Sequence, residues 1–287
     1  MKLPVALLMF ILCGFFLNAM DWPAPEAKIA RNFGLNDQGR PLLGESFDAK
    51  GNVFSADEGE IIFRSSEQDS ARSIPNPLGD WVAVDHGDGL IGIYARGGDS
   101  PETEKQKKAG RDTILARAGK SGWTTGEGFY FSVYDRKEHC WVNPSMIIGS
   151  MQDTLPPSII SVKLRNENGQ LFDLAQTRNI RQGRYGIEVE AADRGESTTA
   201  PVAPYRITCS LNGVEMGILA LEIFFARDGT LMIYGDGLVP VSTIYSTYPA
   251  LEAASGVWFT RGGASLEIIV EDHSKNTRTA AYRIFVE

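Results

Sequence analysis

The sequence predicts an all-β protein of two domains, because short β-type runs alternate with turn residues and no segment keeps a helical period. Gly87-Asp88-Gly89 stands between two such runs, and this is a hairpin signal because glycine and aspartate tolerate positive φ. The charged stretch Pro101 to Ala109 is the one helix candidate, and we expect a solvated surface loop or helix there. The clearest runs of the first half are Glu60 to Arg64, Trp81 to His86, Leu90 to Ala95 and Phe129 to Tyr134.

A domain boundary is predicted at Leu155-Pro156-Pro157, because two successive prolines favour an extended linker. We therefore expect one domain over residues 21–154 and a second over residues 155–287. Asn212-Gly213 and Asp228-Gly229 are hairpin turn pairs within the second. About seven short strands with turns at this spacing predict an antiparallel immunoglobulin-like β-sandwich. The predicted strands are Ser158 to Leu164, Arg184 to Ala191, Tyr205 to Leu211, Leu219 to Phe225, Leu231 to Tyr234, Leu266 to Glu271 and Ala281 to Val286.

The N-terminal residues predict export. Lys2 precedes an apolar run from Leu3 to Cys13, and the small residue Ala19 comes just before a polar region. This order is typical of a signal peptide, here residues 1–20. The run is short for a membrane span, and no basic cluster follows it. We expect a periplasmic or extracellular protein that meets the membrane only through this peptide.

Charge and cysteine content narrow the function classes. The chain carries 28 Lys and Arg against 36 Asp and Glu, a formal net charge of −8. This balance argues against nucleic-acid binding, which needs a basic surface to displace counterions from phosphates. Only Cys140 and Cys209 remain after the predicted signal peptide. Sequence leaves open whether they pair, and two buried free thiols are the favoured interpretation. There is no C-x-x-C spacing for structural zinc.

Three stretches in the first domain, residues 51–61, 84–96 and 118–131, resemble the M23 zinc metallopeptidases of the lysostaphin and LytM type. Residues 51–61, GNVFSADEGEI, are similar to the family pattern G-t-p-V-x-A-x-x-x-G-x-V. Residues 84–96, VDHGDGLIGIYAR, are similar to I-D-H-G-N-G-L-x-T-x-Y-A-H, and residues 118–131, AGKSGWTTGEGFYF, to V-G-x-T-G-x-S-T-G-x-H-L-H-F. Val142-Asn143-Pro144 matches the usual exit from that last strand. The resemblance implies an antiparallel β-domain of the duplicated-hybrid-motif type.

The resemblance also implies where the zinc ligands should lie, and they are missing. The family takes its ligands from an H-x-x-x-D pair and from the second His of H-x-H. The two His of H-x-H fall on Gly128 and Tyr130, and the His after Tyr-Ala falls on Arg96. Upstream of Gly51 there is no His, and Glu45 or Asp48 stands near the family's Asp. One carboxylate does not hold a catalytic zinc, which needs three protein ligands.

We therefore expect neither catalytic residues nor a bound metal or cofactor in this groove. His86 occupies a structural hairpin position in the resemblance, and His139 and His273 lie in turns. The candidate binding residues of the degenerate groove are Glu45, Arg96, Gly128 and Tyr130. Tyr130 and Arg96 are its exposed candidates, with Trp123 beside them, whereas Phe129 and Phe131 are expected in the core. An Arg can pair with carboxylates of a stem peptide or of a protein, but these residues could equally fill a dead site.

The sequence thus predicts a non-catalytic M23-like protein of the cell envelope. Its expected partner is peptidoglycan or a murein-remodelling enzyme, such as a cell-wall hydrolase or amidase. The resemblance implies the enzyme-activator role, although the coiled coil and wall-binding repeats usual in such activators are absent. Two alternatives stay open. One is a divergent active cell-wall metalloendopeptidase, and the other is a structural or adhesive protein that acts through its sandwich domain.

Overall fold

The computed structural model describes residues 20–66, 76–98, 106–124, 126–235, 237–245 and 250–287. The predicted signal peptide lies almost wholly outside them, as does the first half of the predicted 101–109 loop or helix, whose last residues form a strand instead. All the described ladders between strands are antiparallel except one short parallel pair. The all-β prediction is therefore confirmed.

Twelve strands and one short helix form the first half of the chain. They are β1 Lys28–Arg31, β2 Asn36–Asp37, β3 Arg40–Pro41, β4 Glu45–Asp48, β5 Asn52–Phe54, β6 Gly59–Ser65, β7 Asp80–Asp85, β8 Leu90–Gly98, β9 Lys108–Ala109, β10 Ile114–Ala118, β11 Gly128–Asp135, β12 Cys140–Val142 and α1 Pro144–Ile148. All four strands predicted in this half are present as β6, β7, β8 and β11, each within three residues of its predicted ends.

Twelve more strands and a second helix follow. They are β13 Ser158–Asn166, β14 Leu171–Asp173, β15 Asn179–Ile180, β16 Gly183–Ala192, β17 Arg206–Leu211, β18 Val214–Ala220, β19 Ile223–Arg227, β20 Thr230–Gly235, β21 Gly237–Pro240, α2 Val241–Ile244, β22 Leu251–Phe259, β23 Gly262–Glu271 and β24 Thr277–Val286. Neither helix in the described residues is long and apolar enough to cross a membrane.

Strand β11 lies at the centre of the large sheet. Six of its eight residues, from Gly128 to Val133, are buried. Its neighbours are β8 on one side and β12 and β4 on the other, and β7, β6 and β9 continue the sheet beyond β8. The predicted β7–β8 hairpin is confirmed, since Gly87, Asp88 and Gly89 all have positive φ. The sequence runs that resemble M23 proteins therefore lie side by side in one sheet.

The second half forms two packed sheets. One has the order β14-β13-β16-β22 and the other β15-β24-β23-β17-β18. Apolar residues alternate along β23, where Leu266, Ile268 and Val270 are fully buried, and the same cluster contains Val162 and Ile187 from the other sheet. A half-buried strand packs in this way because successive side chains point to opposite faces. The predicted sandwich is present, whereas its immunoglobulin-like type stays a prediction.

The predicted strand from Leu219 to Phe225 is wrong, because the chain changes sheets within it. Strand β18 ends at Ala220 and β19 begins at Ile223. The backbone between them bonds elsewhere: the carbonyl of Leu221 accepts from the Asn143 side chain, and that of Glu222 accepts from the Asn143 backbone N–H. Strand β22 was not predicted at all.

The two halves share a sheet and a core. Strand β19 pairs with β12, so β19, β20 and β21 extend the large sheet of the first half. Phe33 of the first half is completely buried in the sandwich core, where it lies 5.0 Å from the ring of Phe224. The proposed boundary at residue 155 is therefore crossed by extensive contacts. Cys140 and Cys209 are both free and buried, as the sequence favoured.

Candidate functional site

Three adjacent strands hold the predicted groove residues. Tyr130 on β11 lies opposite Ala95 of β8 on one side and opposite Ser46 of β4 on the other. Arg96 follows Ala95 directly and leaves the regular strand conformation with φ +62. Residues opposite each other in an antiparallel ladder point to the same face. Tyr130, Ser46 and Arg96 are thereby brought together.

Arg96 covers Tyr130. Its guanidinium carbon lies 5.0 Å from the centre of the Tyr130 ring, within the range of a cation–π contact. Arg96 also donates to Ser46 Oγ and to the carbonyl of Pro77, both at 3.4 Å. Tyr130 is only 7% exposed, and burial raises the pKa of its hydroxyl to about 12. The expectation that Tyr130 faces the groove is thus wrong, because Arg96 covers its ring and presents a positive charge instead.

Trp123 extends this surface. Its side chain is 69% exposed, the most of any large hydrophobic residue in the described chain. The backbone N–H of Trp123 donates to the Pro77 carbonyl at 3.2 Å, and that same oxygen accepts from Arg96 Nε. One carbonyl therefore fixes both residues. We call the patch formed by Arg96, Trp123 and Ser46 the Arg96–Trp123 surface.

Gly128 has no room for a side chain. A Cβ built there would overlap the carbonyl oxygen of Phe47 on β4. Its backbone is also engaged with Gly119, with N–H···O bonds of 2.9 and 2.8 Å in the two directions. A ligating side chain at this position would need β4 to move. Gly128 therefore contributes close strand packing to the groove and no binding group.

Glu45 lies on the opposite face of β4 from Arg96 and Tyr130. It is paired with Phe131, and it is 1% exposed. Ser145 donates to Glu45 Oε1 at 3.2 Å, while Oε2 is buried with no hydrogen-bond partner among the described residues. Burial raises the pKa of this carboxyl to about 8. Glu45 is thus no member of the groove, because alternation along the strand turns it into the junction between the two halves.

Phe129 and Phe131 are core residues, as predicted. They are 3% and 0% exposed. Phe129 stacks on Phe47 with ring centres 4.6 Å apart, and Phe131 lies 5.0 Å from Tyr94. These contacts hold β11 against β4 and β8, and so they fix the position of Tyr130.

His86 has a structural role. Its Nδ1 donates to the carbonyl of Glu58 at 3.1 Å, because a carbonyl oxygen only accepts. Its Nε2 then accepts from the Tyr94 hydroxyl at 3.1 Å, and that hydroxyl accepts from the N–H of Ala56. Burial lowers the pKa of His86. The neutral ring therefore ties the hairpin to the loop that follows β5.

His273 is likewise neutral and held in place. Asn143 Nδ2 lies 3.1 Å from His273 Nε2, and burial lowers the pKa of this histidine to about 4. Asn143 also caps α1, where its Oδ1 accepts from the N–H of Ser145. Asn143 and Pro144 of the sequence motif thus begin α1, and Asn143 also contacts His273 in the second half of the chain.

One cluster in the described residues has the ligand types and spacing for a metal ion. It consists of Asp153, Asp193 and Asp272, whose carboxylate oxygens lie within 4.8 Å of one another. The cluster lies at the junction of the two halves and away from the motif positions. Sequence reasoning missed it because its members are tens of residues apart and belong to no motif. Sequence reasoning also missed Ser46. Its position directly after Glu45 on a strand was the available signal, because neighbouring strand residues face opposite sides.

Comparisons with known sequences found one matching family model and one similar protein. A protein-family model whose description states no function matches residues 156–287. An uncharacterized protein of Treponema pallidum (strain Nichols) is 28% identical over 128 residues, which cover 40% of this chain and 86% of that protein.

Solved peptidase structures are similar at low identity. A zinc-containing peptidase from Vibrio cholerae is 23% identical with a TM-score of 0.37, over 48% of this chain and 41% of that chain. A putative M23 peptidase from Pseudomonas aeruginosa is 20% identical with a TM-score of 0.36, over 46% and 51%. The antimicrobial peptidase lysostaphin from Staphylococcus simulans is 11% identical with a TM-score of 0.32, over 75% and 86%. The aligned part therefore spans about two fifths and about half of the first two structures.

Proposed function

We propose that this chain is an exported, non-catalytic M23-like protein of the cell envelope that binds peptidoglycan or a murein-remodelling enzyme. The Arg96–Trp123 surface carries the proposal: Arg96 stands where the family resemblance calls for a histidine, and the exposed Trp123 shares the Pro77 carbonyl with it as a hydrogen-bond acceptor. Peptidoglycan is the ligand this surface suits better, because stem peptides carry carboxylates and glycan rings present apolar faces.

The chemistry of the surface supports binding. The guanidinium of Arg96 is held in a fixed orientation by the Tyr130 ring, Ser46 and the Pro77 carbonyl. An Arg fixed in this way loses little side-chain entropy when it forms a bidentate pair with a carboxylate. Trp123 offers a flat apolar surface next to it, and exposed Trp and Arg are the residue types that dominate binding energy at interfaces. A carboxylate ligand with an apolar portion fits both groups.

The backbone conformation of Arg96 also supports a binding role. A residue other than glycine with φ +62 is strained by about 1 kcal/mol relative to ordinary β conformation. Glycine would adopt this conformation without strain. Such strain concentrates at functional positions, where a side chain is needed despite its conformational cost. The guanidinium is the group that glycine would lack.

The same geometry argues against peptide cleavage at this place. A catalytic zinc needs three protein ligands and an open position for water. Gly128 supplies no side chain, Tyr130 is buried beneath Arg96, and Glu45 points away from both. Ser46, which faces Tyr130, is a poor zinc ligand. This surface therefore holds no ligand set for the family's metal.

Co-sedimentation with purified, protein-free cell-wall sacculi in the presence of zinc tests the proposal. We expect the whole chain to sediment with sacculi and to release no soluble wall fragments. Arg96→Ala and Trp123→Ala should each weaken binding by about tenfold, the loss expected for one interface anchor. Matched controls are Arg227→Ala and Trp258→Ala, which remove an exposed Arg and an exposed Trp from the second half.

The outcomes separate the possibilities. Release of fragments would establish an active peptidase and overturn the proposal. Binding that is lost only in Trp258→Ala would transfer the function to the sandwich. Absence of binding to bare sacculi, together with Arg96-dependent binding to envelope extract, would leave the enzyme partner as the ligand. Absence of Arg96-dependent binding in both would refute the proposal.

A further inference from the structure

The junction between the two halves contains a small acidic cavity. It has a volume of about 50 Å³, and its lining includes Glu45, Asp153, Asp193, Asp272 and Tyr205. A single water needs only about 10–15 Å³ in such a measure. The cavity therefore has room for an ion and a few waters. It is separate from the Arg96–Trp123 surface, so its chemistry is independent of the proposed function.

Three of these carboxylates come from three different segments. Asp153 lies in the linker after α1, Asp193 directly follows β16 of one sandwich sheet, and Asp272 directly follows β23 of the other. One oxygen from each lies within 4.8 Å of the others. Calcium binds oxygens at 2.3–2.6 Å, so two ligands of one ion are at most about 5 Å apart. The spacing of the cluster thus fits a single shared ion.

Two unpartnered oxygens point to a missing ligand. Asp193 is 9% exposed, and its Oδ1 is buried with no hydrogen-bond partner in the part of the chain that the structure describes. Glu45, which lines the same cavity, is 1% exposed and also leaves Oε2 without a partner. A buried carboxylate oxygen without a partner costs about 1–3 kcal/mol or more. Such groups in one cavity call for a donor or a cation between them.

No side-chain cation supplies the missing charge. In the described parts of the chain, Asp153, Asp193 and Asp272 form no ion pair with Lys or Arg. Three carboxylates with oxygens within 4.8 Å of one another repel each other unless a proton or a metal ion lies among them.

The surrounding residues hold the carboxylates in place. Asp272 accepts from the backbone N–H of Asn276 at 2.9 Å and from its side-chain amide at 2.8 Å. The same amide donates to the backbone carbonyl of Asp153 at 3.2 Å. A Cβ at Gly195 would overlap the Asp153 carboxylate, so glycine leaves room for it. The arrangement is preorganised, which is what a metal site requires of its supporting residues.

We propose that Asp153, Asp193 and Asp272 bind a hard divalent cation, Ca²⁺ in the first place, that locks the linker onto both sheets of the sandwich. Three carboxylate ligands suit Ca²⁺, and His273, which also lines the cavity, is engaged by Asn143 through Nε2. Waters in the cavity complete the coordination shell of six to eight oxygens. The ion fixes the orientation of the second half against the large sheet.

Thermal unfolding of the whole chain, stripped of metal with EGTA, tests this site. CaCl₂ at about 5 mM lies above the 10⁻⁴–10⁻³ M range of extracellular calcium modules. We expect it to raise the unfolding midpoint by about 5 °C, saturably, at neutral pH. Terbium should bind at the same place and show luminescence excited through Tyr205, a lining residue, and Ca²⁺ should displace it.

Asp193→Asn is the decisive variant. It keeps the shape of the side chain and removes one of three repelling charges, so without calcium it should be at least as stable as the parent. It should lose the calcium-dependent shift and the terbium signal. Asp88→Asn, at a fully exposed hairpin carboxylate, should keep both. If Asp193→Asn folds poorly, Asp153→Asn takes its place, since its side chain is less buried.

Three results would overturn the site. The first is no shift of the midpoint and no terbium signal in the parent. The second is an equal calcium shift in Asp193→Asn, which would place the ion elsewhere. The third is a lower stability of both Asn variants without calcium and no calcium response in the parent, which would make the cluster a proton-sharing structural group.

Discussion

The Arg96–Trp123 surface and the junction cavity lie on opposite faces of one strand. Along β4, Ser46 accepts from Arg96 on the first face, and Glu45 lines the cavity on the second. The surface has a cation and an exposed aromatic residue, whereas the cavity has carboxylates and no side-chain cation among the described residues that line it. The first is open to solvent and suits a large ligand. The second is small and acidic, and it suits an ion.

This difference shows that the two faces of one strand can carry separate chemistry. Glu45 faces the junction between the two halves and not the side of Arg96 and Tyr130. Arg96 and Tyr130 have closed the groove side. The carboxylates serve the contact between the two halves.

The largest effect is expected from the pH dependence of Glu45. Its folded pKa of about 8 is above the unfolded value of 4.5, so the folded state holds the proton more tightly. The contribution of Glu45 to the free energy of unfolding is then fully present below pH 4.5 and is lost as pH rises to 8. We expect a loss of about 1.4 kcal/mol per pH unit over this window, measured by urea unfolding in EDTA.

Glu45→Gln is the matching variant. It should flatten this part of the pH profile and exceed the parent in stability at pH 8, because no charge is then buried. Glu127→Gln, a surface carboxylate with an exposed side chain, is the control and should leave the slope unchanged. A parent whose stability is level between pH 5 and pH 8 would show that Oε2 of Glu45 is well solvated or paired.

A second prediction concerns the groove side. Gly128→Ala should destabilise the chain by about 3 kcal/mol, because the new Cβ overlaps the carbonyl of Phe47 and pushes β4 from β11. Gly126→Ala is the matched control, since a Cβ there has nothing within 4 Å. Denaturant unfolding of the two variants gives the comparison. Equal stability of both would show that β4 yields easily, and a ligating residue at position 128 would then be sterically possible.

Sequence alone predicted the parts of the molecule that local pattern determines. The β7–β8 hairpin follows from Gly87 and Gly89, and the burial of Phe129 and Phe131 follows from their alternate positions on β11. The neighbourhood of Arg96 and Tyr130 came from the motif order, which puts both at the ends of adjacent strands. The burial of Tyr130 could not be predicted, because it includes a contact with the Arg96 side chain from a neighbouring strand.

The junction could not be predicted because long-range contacts create it. Nothing local at Leu221 and Glu222 shows that both carbonyls bind Asn143, which redirects the chain into the large sheet. The carboxylates of Asp153, Asp193 and Asp272 meet only after linker and sandwich have folded. Strand β22 was missed since Ala253, Ala254 and Gly256 give it a weak β pattern, although its pairing with β16 buries it.

The smallest expected effect separates strain from binding at Arg96. Arg96→Ala and Arg96→Gly both remove the cation–π contact with Tyr130, which is worth about 0.5–1 kcal/mol at such a site. Only glycine adopts φ +62 without strain, so Arg96→Gly should be more stable than Arg96→Ala by about 1 kcal/mol. Thermal or urea unfolding measures this difference, and sacculus binding should fall equally in both.

Equal stability of the two variants would mean that the backbone relaxes once the guanidinium is gone. The positive φ would then be a consequence of the Arg96 contacts, and the case that strain at this position marks a functional residue would fail. The expected difference would instead show that the chain tolerates a strained residue to keep a guanidinium over Tyr130.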